Sequence, residues 1–209
     1  MLGLLVVQIS AGIALVATSV GFTSGISRTL RSGQSVGVVI SRTPAQGTQL
    51  AWIVGTLVAL FWPAGVFLVP MYAYHWPAFP DFQYSWIVQI AGVVLGVAGG
   101  LIYSRSARAL GAQMTPRIQI RKGAHLVQTG PYRYVRHPVY GAIIVIALGQ
   151  TFLFLSSLAA VLTVLLVCLA LYRARLEEGL LGSSDGFGSI YRSYVTHTGR
   201  FVPRFRAAR

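Results

Sequence analysis

The stretch Gly130-Pro131-Tyr132-Arg133-Tyr134-Val135-Arg136-His137-Pro138-Val139-Tyr140 gathers two arginines, one histidine and three tyrosines into eleven residues. Guanidinium groups bind carboxylates and phosphates bidentately. Imidazole and phenol groups add hydrogen-bond donors and acceptors. The stretch ends where a long apolar run opens at Val139, so the cluster gathers at one mouth of a membrane helix. Ionisable groups in such a place are costly to desolvate and mark functional sites. A basic juxtamembrane loop that only sets topology would account for the arginines. It would not account for the histidine and tyrosines among them. Pro131 and Pro138 stiffen the approach, and Pro138 suits the first turn of the helix that follows.

The second candidate is Arg173-Ala174-Arg175-Leu176-Glu177-Glu178. The protein has four acidic residues, and two of them are adjacent here. Arg173 and Glu177 are four apart on a helix and are expected to pair, which leaves Glu178 free for a ligand. Alone, the segment reads as a salt-bridged helix end facing water. Further on, Tyr191 and Tyr194 are three apart and share a helix face. That face is either an interfacial aromatic anchor or the roof of a pocket for an aromatic or cationic ligand.

The elements that position these groups are apolar. Of 209 residues 55% are hydrophobic and 10% charged, against about 25% charged in soluble domains. The apolar residues form blocks of spanning length, so the chain reads as an all-α integral membrane protein. The expected spans are Leu2–Phe22, Leu50–Tyr72 and Trp86–Tyr103, followed by an apolar run of 34 residues, Val139–Tyr172. As one helix that run would reach about 51 Å, against a hydrocarbon core of roughly 30 Å. The polar pair Ser156-Ser157 lies near its middle, so a hairpin turning at Leu155–Leu158 is expected, giving five spans. Small residues in the third span (Ala91, Gly92, Gly96, Ala98, Gly99, Gly100) allow close helix contact. The aromatic segment Ala73–Ser85 suits a membrane interface. Residues 1–103 form an N-terminal three-span region, and 104–209 a catalytic region with a basic loop, the hairpin and a helical tail.

Charge tests this division. The segments 23–49, 104–138 and 173–209 carry 3, 7 and 7 Lys+Arg, which is all 17. Five spans put them on one side, and the positive-inside rule places the N-terminus outside and the C-terminus in the cytosol. A net charge of +13 would suggest nucleic acid in a soluble chain. Here the charges lie between apolar blocks, which excludes that class. The lone Cys168 is expected to pack in its span. The four histidines (75, 125, 137 and 197) are too scattered for ligand spacing, so no metal is expected.

The ordered elements GPYRYVRHPVY, an apolar hairpin, EE, FG, YxxY and a final Pro resemble the isoprenylcysteine carboxyl methyltransferase family, related to phospholipid N-methyltransferases. The resemblance runs from His125 to Pro203, and the first three spans carry no signature of the family. It implies a membrane-embedded methyltransferase that uses S-adenosylmethionine and acts on a lipophilic acceptor. It also implies that Arg136, Arg173 and Glu177 serve catalysis. Cofactor binding would fall to His125, Leu126, Val127, Tyr132, Arg136, His137, Tyr140, Glu178, Tyr191 and Tyr194. Thr198-Gly199-Arg200 stands where the family commonly has valine-proline-arginine.

The residue types suit that cofactor. Arg133 or Arg136 matches its carboxylate. Glu178 matches the ammonium or the ribose hydroxyls, and tyrosine faces match the adenine or the sulfonium. His137 matches the amino-acid end. Rival classes are a membrane reductase using a nicotinamide cofactor, which lacks a glycine-rich phosphate loop here, and a non-enzymatic protein binding anionic lipid headgroups through its arginines. A transporter is disfavoured, since no span has a mid-membrane charge.

Overall fold

The computed structural model describes residues 5–13, 38–42, 46–68 and 83–204. Within them the chain is mostly helical. Residues 5–13 form α1. Then come β1 (Val39–Arg42), α2 (Gln46–Leu68), α3 (Ser85–Leu110), β2 (Gln119–Arg121), α4 (Pro138–Phe154), α5 (Ser157–Leu181) and α6 (Gly188–His197). The expected first span and the segments 23–37 and 73–82 lie largely or wholly outside the described residues.

Among the described residues two helical stretches are long and apolar enough to cross a membrane, Ser85–Gln113 and Ser157–Leu181. Gly47–Ala59 and Pro138–Phe154 are shorter apolar helices. The expected hairpin forms between α4 and α5. Leu155 closes α4 in the left-handed region at φ 47°, and the Ser156 hydroxyl accepts the Ala159 N–H at 3.3 Å to cap α5. A left-handed leucine is strained. The freed Leu153 carbonyl at this end accepts from the buried Gln89 Nε2 at 3.0 Å.

The most extensive packing is between α3 and α4. A Cβ added at Gly92 would stand 2.5 Å from the Leu153 backbone nitrogen, and one at Gly149 2.7 Å from the Gly92 carbonyl oxygen. The two backbones therefore touch, as small residues permit in membrane helix pairs. Further polar contacts tie the bundle. Thr151 and Thr163 meet at 3.0 Å across the hairpin, and Gln150 donates to the Ala59 carbonyl of α2. One core cluster joins Trp52, Tyr103, Ile143, Ile146, Leu166 and Ala170, and a second joins Val7, Ala11, Leu153 and Phe154.

Three expectations are corrected. The third helix runs past Tyr103 to Leu110, and within this extension Ser106 Oγ donates back to the Ile102 carbonyl at 2.7 Å. The fold is not purely helical. β1 and β2 pair antiparallel with a register shift between Val39 and Ser41. Cys168 is exposed on α5 rather than packed.

Candidate functional site

The C-terminal ends of α3 and α5 and the N-terminal end of α4 converge, bringing the two sequence clusters together. Tyr140, in the first turn of α4, donates from its hydroxyl to Glu177 Oε2 at 2.8 Å. His137, just before α4, sets Nε2 3.2 Å from Glu178 Oε1 and Nδ1 3.6 Å from Glu177 Oε2. The rings of His137 and Tyr140 stack, with centroids 5.4 Å apart and planes within 1°. Trp52 of α2 meets Tyr140 edge-on at 4.6 Å.

Glu178 is not free, as the i, i+4 argument had it. It accepts from Arg136 Nε at 2.9 Å and from Arg200 Nε at 3.1 Å, with a further contact from Arg200 Nη2. The expected Arg173–Glu177 ion pair is also absent among the described residues. Arg173 is buried and takes its hydrogen-bond partners elsewhere. It donates to the Pro116 carbonyl at 2.6 Å and to Thr48 Oγ1 at 3.3 Å, with its guanidinium 5.6 Å from the Trp52 ring centroid. Helical spacing brings two side chains within reach of each other but does not exclude better partners from other elements.

The tail folds back onto the motif. Arg136 N donates to the Gly199 carbonyl at 2.9 Å and His137 N to the Arg200 carbonyl at 3.1 Å. The Tyr194 hydroxyl donates to the Tyr132 carbonyl, and Arg136 Nη1 to the Thr198 carbonyl. Gly186 makes the turn between α5 and α6 possible, since a Cβ there would lie 2.4 Å from the Leu180 carbonyl oxygen.

These contacts set the protonation states outside the helical spans. Burial opposes the charged form of His137, yet its bonds to Glu177 and Glu178 outweigh burial and raise its pKa. Burial, reinforced by Glu177, raises the Tyr132 pKa well above the ordinary phenol value. Burial pushes Tyr194 up to about 12. Tyr191 moves in the same direction for the same reason. The phenols are therefore neutral donors at physiological pH.

Two cavities meet at this cluster. The first, about 270 Å³, is lined by His125, Leu126 and Val127, by residues 117–122, and by Phe187, Tyr191 and Tyr194 of the tail. The second, about 410 Å³, is mostly apolar. It lies between Trp52, Ile53, Thr56 and Leu57 of α2 and Tyr103 and Leu110 of α3, and Ile143 and Arg173 also line it. Tyr132, Arg136, Tyr140 and Glu177 line both.

Three residues that line these cavities carry buried polar atoms without a hydrogen-bond partner among the described residues. The atoms are the hydroxyl of Tyr191, which lines the first cavity, and Nε of Arg173 and Oγ1 of Thr56, which line the second. Unpaired buried donors favour a polar ligand group.

Of the expected site residues, His125, Leu126, Val127, Tyr132, Arg136, Tyr140, Glu177, Tyr191 and Tyr194 line the first cavity. His137 and Arg173 line the second, and Glu178 braces the cluster from beside it. Arg133, weighed as a carboxylate ligand, lines a surface depression with Ser189 and His197 instead. Sequence reasoning missed Trp52, Thr56 and Thr115, for which nothing in the chain near the motifs gave a signal. It also missed the role of Arg200. Among the described residues no group of three or more His, Cys, Asp or Glu side chains is placed to hold a metal ion.

The family model described as isoprenylcysteine carboxyl methyltransferase (ICMT) matches residues 92–182. The match supports a methyltransferase. Residues 92–182, under half of the chain, are similar to that family. The match begins in α3, where sequence reading had found no family signature, and ends before the tail aromatics. No curated protein matches the chain.

Proposed function

We propose that the protein is a five-span membrane methyltransferase that takes S-adenosylmethionine in the first cavity and a lipophilic acceptor in the second. The observation that carries this reading is the shared wall of Tyr132, Arg136, Tyr140 and Glu177. A group transferred between two ligands needs adjoining pockets of different polarity, and this site has them. The apolar cavity between α2 and α3 suits a lipid tail arriving from the bilayer. An isoprenylcysteine carboxylate or another small lipophilic acid, amine or thiol fits that description. On the charge distribution, the N-terminus lies outside and the site and C-terminus face the cytosol.

When bound, the cofactor supplies a methyl carbon already activated by its sulfonium. The chain supplies alignment and exclusion of water. His125, Leu126 and Val127 frame one side of the cofactor cavity. Tyr191, whose hydroxyl has no partner among the described residues, and Tyr194 roof it from the tail. His137 and Glu178 hold Arg136 and Tyr140 at the junction. Arg173 lines the second cavity together with Tyr140 and Glu177, where the acceptor's polar end would lie. Glu177, bonded to Tyr140, stands where the two ligands meet. A carboxylate or thiolate acceptor needs no general base, whereas an ammonium acceptor must first lose a proton.

The test is calorimetric titration of S-adenosylmethionine and S-adenosylhomocysteine into the detergent-purified protein. Saturable binding that is lost in His137→Ala, while the variant still melts cooperatively, is the expected result. A folded protein that binds NADPH and neither of these ligands would overturn the proposal in favour of a reductase.

A further inference from the structure

β1 ends at Arg42, four residues before α2 begins at Gln46, so the strand lies beside the end of a membrane helix. Strict alternation along a strand would turn one of Val39 and Ile40 inward. The register shift between Val39 and Ser41 breaks the alternation. Val38, just before the strand, and Val39 and Ile40 within it are all exposed, at 76%, 41% and 57%. Three consecutive exposed β-branched residues at an edge strand are an aggregation liability in water. The exposed cation Arg42 accompanies them on the strand, and Arg117 and Lys122, also exposed, stand at the rim of the first cavity. Lys122 N donates to the Val38 carbonyl at 2.9 Å, which fastens the basic segment to the apolar one. The opposite side of the sheet faces the site: Ile120 is buried, and residues 117–122 line the first cavity.

We propose that the outer face of β1 docks on the anionic phospholipid headgroups of the adjoining leaflet, and that this contact holds β2 as a wall of the cofactor cavity. Apolar side chains at the headgroup boundary combined with basic residues are the requirements for such a surface. Each basic side chain near an anionic surface shifts the docked-to-free ratio about fivefold. The inference rests on the methyltransferase reading only for what fills the cavity.

The test uses the full chain in nanodiscs, with a nitroxide on Val38→Cys in a Cys168→Ser background. Collisions with a water-soluble nickel chelate are expected to fall about threefold when anionic phospholipid replaces part of a zwitterionic bilayer. Hydrogen exchange at residues 119–122 is expected to slow in the same discs. Adding Ile40→Glu and Arg42→Glu should restore both values. Equal chelate access in the two bilayers overturns the proposal, whether the label is wet in both or buried in both. S-adenosylhomocysteine titration into the same discs separates the two readings. Docking without any cofactor binding sinks the methyltransferase assignment and leaves the lipid contact standing.

Discussion

Replacing Glu178 by glutamine should destabilise the protein far more than removing the arginine beside it. Glu178 is 14% exposed and accepts from Arg136, which is 9% exposed, and from Arg200, which is 37% exposed. It also faces the buried His137 at 3.2 Å. Removing one partner of a buried ion pair costs roughly 3–5 kcal/mol. Arg136 would keep its bonds to the Val195 and Thr198 carbonyls, and His137 would keep Glu177 at 3.6 Å. Those surviving partners lower the expected loss for Glu178→Gln to about 2–3 kcal/mol. For a chain of this size that is a fall in Tm of about 5–10 °C. Arg200→Ala leaves Glu178 with Arg136 and His137 and removes a partner that is more than one-third exposed. Its cost should be about 0.5–1 kcal/mol, or about 1–4 °C. Thermal unfolding in one detergent, with both single variants and the double variant, measures the difference. Equal shifts for the two single variants would refute the assignment of Glu178 as the hub.

Three further outcomes are expected. The raised pKa of His137 means that its bonds to the two glutamates stabilise the fold fully below about pH 6.5, the ordinary histidine value. That contribution is lost as the pH climbs through the raised folded value, so Tm should drop over that window in the native protein and stay flatter in His137→Gln. Gly149→Val would drive its side chain into the Gly92 and Gly96 backbone. Overpacking of this kind costs about 1–3 kcal/mol or more, read as lower Tm and poorer recovery of monodisperse protein. Tyr191→Phe deletes a hydroxyl with no partner among the described residues, so Tm should hold within about 2 °C. Affinity for S-adenosylhomocysteine should fall severalfold, and an unchanged affinity would remove Tyr191 from the cofactor site.

The hairpin was legible because a 34-residue apolar run cannot be one span and Ser156-Ser157 interrupts it. The meeting of the RHPxY and EE segments followed from their positions at the open end of that hairpin, and the 2.8 Å bond from Tyr140 to Glu177 realises it. What the sequence hid was partner choice. Arg173 bonds to Thr48, 125 residues away, and to the Pro116 carbonyl, and no local pattern encodes either contact. Glu178 draws Arg200 from a tail whose return path depends on the turn at Gly186. The small sheet escaped for another reason. Its strands are four and three residues long and lie far apart in the chain, so neither carries a periodicity that stands out from a loop.

The glycine-lined crossing of α3 and α4 makes the site mechanically lopsided. Two backbones in contact leave no compressible side-chain layer between them, so those helices behave as one stiff beam. The opposite wall of the apolar cavity is α2, which rests on α4 and α5 through side chains such as Trp52 and through the Gln150 bond. Side-chain packing, which can yield, is therefore found on the α2 side of the cavity. An acceptor with a bulkier tail would be accommodated by displacement of α2, while Tyr140, Glu177 and the beam behind them keep their alignment.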